Sequence, residues 1–113
     1  MGQADRPAAD VPIDDALFDR IENGLNQLRT ELRKAMSKHA PMHSPHEGHS
    51  VIREELDELW DLVKIDCART IEGRKEALQV AAMGLRFALD LCDAPDLPTL
   101  QVHQARTRVP HPS

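Results

Sequence analysis

Between Pro45 and Lys64 the chain carries six acids and two bases, and the acids are densest in Glu54-Glu55-Leu56-Asp57-Glu58. On a helix, at ~100° per residue, Glu58 lies ~40° from Glu54 and ~60° from Glu55, so the three carboxylates crowd one strip. Like charges at that spacing repel by a few tenths of a kcal/mol per pair, and the strip needs water or a cation to offset this. The plain reading is a solvated acidic face. Against it stands the register: Val51 and Leu62 share the strip with Glu55 and Glu58, which places those acids at the core margin, where a partly buried carboxylate requires a partner. A second polar group lies further on, in Lys75-Glu76-Ala77-Leu78-Gln79. Glu76 and Gln79 sit one turn apart on a single side. If the two segments are adjacent antiparallel helices, Glu55, Glu58, Glu76 and Gln79 converge as hard oxygen ligands, which is the donor set magnesium prefers.

The elements that must position these groups are legible. Leu17, Ile21, Leu25, Leu28, Leu32 and Met36 recur at steps of three and four, which predicts an amphipathic helix over about 14–38, ended by Pro41 and Pro45. A second helix, about 45–64, starts with Ser44 as N-cap, Pro45 in the first turn and Glu47 placed to reach back to the cap amide. Its expected core stripe is Ile52, Leu56, Leu59 and Val63, with Trp60 widening it as a core or interface residue. A third helix, about 71–91 and capped by Thr70, is polar at its start and apolar on nearly every side from Ala77 to Leu91. Such a helix must be covered all round. Two neighbours in one small subunit cannot do that, so a dimer or higher assembly is expected. Residues 1–12 read as a flexible arm, 13–92 as the helical domain, and 93–113, with Pro95, Pro98, Pro110 and Pro112, as a loose tail without a long helix.

Composition narrows the function classes. At 113 residues and 12.7 kDa there is one core, and three aromatic residues with no Tyr argue for an all-α fold over a β-sandwich or barrel. A formal charge of -5 disfavours duplex nucleic acid and anionic membranes as partners, and a phosphate ligand would need a metal ion. Cys67 and Cys92 are too few for a disulfide scaffold and read as small apolar residues in the cytoplasm. No apolar stretch reaches the ~20 residues that span a bilayer. His39, His43, His46 and His49 straddle the proline break off any common helical face, which disfavours a zinc site.

The two acidic segments together resemble a known pair. Glu-Glu-x-x-Glu at 54–58 and Lys-Glu-x-x-Gln at 75–79, with seventeen residues between Glu58 and Glu76, resemble the motifs of the MazG-like all-α nucleotide pyrophosphohydrolases, a superfamily that includes the dimeric dUTPases. The resemblance covers residues 44–91. It implies a helical dimer or tetramer that uses magnesium to cleave nucleoside triphosphates between the α and β phosphates. Carried over by position, Glu55, Glu58 and Glu76 match metal-binding carboxylates and Glu54 the leading acid, here a candidate to orient or deprotonate water. Lys75, Arg86 and His46 are the candidate substrate contacts, although Arg86 could instead pair with Asp90. The family's final Asp is Gln79 here, which keeps a carbonyl oxygen but removes one negative charge. That departure supports the alternative, a non-catalytic helical dimer that binds a partner protein or nucleotide without turnover.

Overall fold

The computed structural model describes residues 10–107 and is helical, with no strand among them. Four helices follow in order: α1 (Asp15–Lys38), α2 (Pro45–Lys64), α3 (Ile71–Leu91) and α4 (Leu100–Thr107). The first three match the expected spans, and each is capped by the side chain before it. Asp14 accepts from the Leu17 amide at 2.8 Å, Ser44 from Glu47 at 3.1 Å and Thr70 from Gly73 at 3.0 Å. One cap detail differs. The Glu47 carboxylate reaches back to the amide of His43, at 3.0 Å, one residue before the cap, and the same oxygen lies 3.3 Å from Nδ1 of the His43 ring.

The fourth helix corrects the expectation of three. Pro98 and Pro110 leave an uninterrupted interval between them, and Thr99 Oγ1 accepts from the Val102 amide at 3.2 Å to start the short α4. It packs on none of the other helices. Residues 1–9 of the expected arm and 108–113 of the expected tail lie outside the described residues.

Side-chain pairs fix how the long helices run. Gly48 meets the Phe87 ring and Glu58 approaches Glu76, so α2 and α3 are antiparallel. Gln27 meets Arg74, Glu31 meets Gln79 and Ala40 meets Arg86, so α1 runs parallel to α3. Each of α1 and α2 packs on α3, and they do not pack on each other. The result is a trough with α3 as its floor. Ala82, with no exposed surface, and Met83 form the centre of the core with Ala35, and Leu28, Val51 and Ile52 lean on it. The small side chains let two helices approach α3 closely.

A single neighbour covers only a narrow strip of a helix, and this explains where the expected core stripe fails. Ile52 packs inward, but Leu56, Val63 and Trp60 (56% exposed) face outward on α2. The underside of α3 is likewise uncovered: Ala77, Ala81, Gly84, Leu85 and Ala88 are all exposed. Cys67 and Cys92 are free and exposed and are not core residues.

Two glycines on α3 make opposite demands. A Cβ at Gly73 would run into the Ala68 carbonyl, part of the backbone that brings the chain into α3, whereas one at Gly84 would meet nothing. Gly73→Ala is therefore expected to lower stability by about 2 kcal/mol or more, since only a backbone shift relieves the overlap. Gly84→Ala is expected to raise it by about 0.5–1 kcal/mol through helix propensity in a lone subunit. Urea denaturation reads both, and a loss at Gly84 would mean that another surface packs against the underside of α3.

Candidate metal centre and adjoining cavity

The strip on α2 and the start of α3 do converge. One carboxylate oxygen from each of Glu55, Glu58 and Glu76 lies within 4.8 Å of the others. The antiparallel pairing brings this about, because it sets the turn of α2 that holds Glu55 and Glu58 against the second turn of α3. Glu55 and Glu76 are half-buried and Glu58 is exposed. Burial, followed by the negative charge of Glu58, pushes the Glu55 carboxyl up to about 7. Glu76 is also raised, first by burial and then by Glu58, which outweighs the lowering effect of Lys75. Glu76 Oε2 is fully buried with no hydrogen-bond partner. A buried carboxylate oxygen left unpaired is costly unless it is protonated or ligates a cation.

Glu55 also lines a cavity of about 530 Å³ that fills the trough. Its α2 side adds Val51 and Glu54, and its α3 floor is Lys75, Gln79, Met83 and Arg86. The α1 wall is Glu31, Lys34, Ala35, Lys38 and His39. The cavity is thus acidic toward α2, beside the triad, and carries cationic side chains on α1 and the floor. A polyanion whose charge is partly neutralised by a divalent cation fits that division.

Each candidate residue has a definite place. Glu54 is exposed on the acidic wall and Lys75 stands on the floor next to Glu76. Gln79 lines the cavity, and its amide Nε2 donates to Glu31. Arg86, a candidate for substrate or for a pair with Asp90, is 5% exposed and engaged as the second reading has it: Nε lies 3.6 Å from Asp90, and Nη2 donates to the Ala40 carbonyl at 2.7 Å. His46 is exposed on the first turn of α2 and does not line the cavity, whereas His39 does. The sequence reading missed the α1 wall entirely. Glu31, Lys34 and Lys38 recur at steps of three and four, a spacing that marks one helical face and was available, but it carries no sign of which neighbour that face meets.

No helix among the described residues is long and apolar enough to cross a membrane. No protein-family model, curated protein or solved structure matches the chain.

Proposed function

We propose that this chain is a magnesium-dependent nucleoside triphosphate pyrophosphohydrolase that cleaves between the α and β phosphates. The observation that carries this reading is Glu76 Oε2, a buried oxygen without a partner, inside a three-carboxylate cluster that opens beside a cation-lined cavity. The donor set is all oxygen and anionic, which fits magnesium. Glu55, Glu58 and Glu76 would hold the ion, and Gln79 could add its carbonyl. When bound, magnesium supplies charge neutralisation at the phosphates and lowers the pKa of water.

The chain's own groups account for the rest of the chemistry. Lys34, Lys38 and Lys75 draw in and hold the phosphate chain, with Lys75 between the acidic and basic sides. Glu54, exposed on the cavity wall, accepts the proton as water attacks the α phosphorus. The bond from that phosphorus to the bridging oxygen breaks, and monophosphate and pyrophosphate leave. Arg86 shapes the far end of the floor without being free for substrate. The uncovered faces of α2 and α3 support assembly as a homodimer or homotetramer.

The test is a panel of ribonucleoside and deoxynucleoside triphosphates incubated with the full chain and magnesium, with products followed by phosphorus NMR. At least one substrate is expected to yield monophosphate and pyrophosphate, and EDTA is expected to stop it. Diphosphate and inorganic phosphate would refute cleavage at the α phosphorus. Nucleotide binding without turnover would favour the non-catalytic dimer, the reading to which the amide at position 79 lends weight.

A further inference from the structure

Glu31 belongs to neither acidic motif and stands on a different helix, yet it meets the residue at which the second motif lacks its carboxylate. Its Oε2 accepts a hydrogen bond from Nε2 of Gln79, and its Oε1 lies 3.8 Å from Nζ of the exposed Lys34. A carboxylate only accepts, so the end of the amide that faces it must be the NH2 group. The other end, the carbonyl Oε1, is then left to accept elsewhere. An unrestrained glutamine can flip, and its NH2 would repel a cation where its carbonyl would bind one. Glu31 prevents that flip. Both residues are half-buried and line the cavity beside Glu54 and Glu55.

We infer that Glu31 is a positioning residue for the cation site: it holds Gln79 so that the carbonyl is the atom offered to a divalent ion, and it restores from α1 the negative charge that the amide lacks. The pair stands in for a single carboxylate. This inference rests on the reading of the Glu55, Glu58 and Glu76 cluster as a magnesium site.

The test uses Mn2+ as the probe, with its binding to the full chain followed by the electron paramagnetic resonance signal of the free ion, alongside thermal melts in EDTA. Glu31→Gln is expected to weaken Mn2+ binding about tenfold, the usual effect of losing a group that orients a ligand. The exchanged pair, Glu31→Gln with Gln79→Glu, again joins one amide to one carboxylate. It should bind Mn2+ at least as tightly as the wild type, because the pair's negative charge returns and a carboxylate at 79 offers an oxygen to the ion in either orientation. A merely structural contact would show as a lower melting temperature in EDTA for Glu31→Gln with unchanged Mn2+ affinity, and that result overturns the inference. Failure of the exchanged pair to regain affinity overturns it too. If the wild type itself binds no Mn2+, the metal reading falls and this one with it; if the wild type binds and Glu31→Gln binds equally well, only the role of Glu31 falls.

Discussion

Glu76→Gln is expected to melt about 4 °C or more above the wild type in metal-free buffer at pH 8, and to gain nothing from magnesium. The cause is the crowding of three carboxylates within 4.8 Å. Two unit charges ~4 Å apart repel by about 1 kcal/mol even at the dielectric of water, which is worth ~4–8 °C in a domain of this size. The pH dependence has a defined sign. An acid whose pKa is raised on folding binds its proton more tightly in the folded state, so its contribution to stability is full below the unfolded value near 4.5 and is lost as pH rises through the folded value. For Glu55 that folded value is about 7, and Glu76 shifts in the same direction. The metal-free protein should therefore lose stability steadily from about pH 5 to pH 8. Magnesium competes with those same protons, so its stabilising effect should grow over that window. Thermal melts at several pH values with and without magnesium check all of this. A flat wild-type profile that ignores magnesium would mean that the triad is only a solvated acidic face.

The largest loss of stability is expected at the other end of the trough. Arg86 and Asp90 are both buried, with side chains 6% and 5% exposed. Together they fasten the segment between α1 and α2 to α3: Arg86 donates to the Ala40 carbonyl, and Asp90 accepts from the Met42 amide at 2.9 Å. Removing either side chain leaves the other buried charge without its counter-charge and one backbone group, the Met42 amide or the Ala40 carbonyl, without its partner. Asp90→Ala and Arg86→Ala should each cost about 3–5 kcal/mol, the range for breaking a buried ion pair from one side. Arg86→Lys should recover less than half, because an ammonium is a single point where the guanidinium serves Asp90 and Ala40 through different nitrogens. Urea denaturation is the measurement. A loss below ~1 kcal/mol, the value for exposed pairs, would show that water reaches the pair.

The parts of this structure that were legible in the sequence are those set by local physics. Asp14, Ser44 and Thr70 mark helix starts because a side-chain oxygen beside a free amide acts within one turn. The meeting of Glu55, Glu58 and Glu76 was also legible, since a connection of six residues between α2 and α3 leaves little choice but an antiparallel return. The α1 wall was not. A stripe such as Leu17 to Met36 gives the inward side of a helix without giving the partner, and the contact of Glu31 with Gln79 spans 48 positions of chain. Leu56 and Val63 were misplaced for a related reason. Periodicity reports an apolar face, and whether that face meets this subunit or something else is not written in the period. Arg86 reads from its position either as a substrate contact or as a partner for Asp90 four residues on, and its burial decides for Asp90.

That α1 and α2 each lean on α3 and never on one another has a consequence for how such a protein can change. The carboxylate triad is held entirely by α2 and α3, while the opposite wall of the cavity is held by α1. Substitutions along Lys34, Lys38 and His39 can therefore recut the size and charge of what enters the trough while the triad keeps its geometry. Drift at those three positions leaves the triad in place, whereas Glu31 on the same wall is tied to Gln79 and is not free to drift with them. A designer who wanted a new guest would rewrite that face of α1 and leave Glu31 and Ala35 as they are.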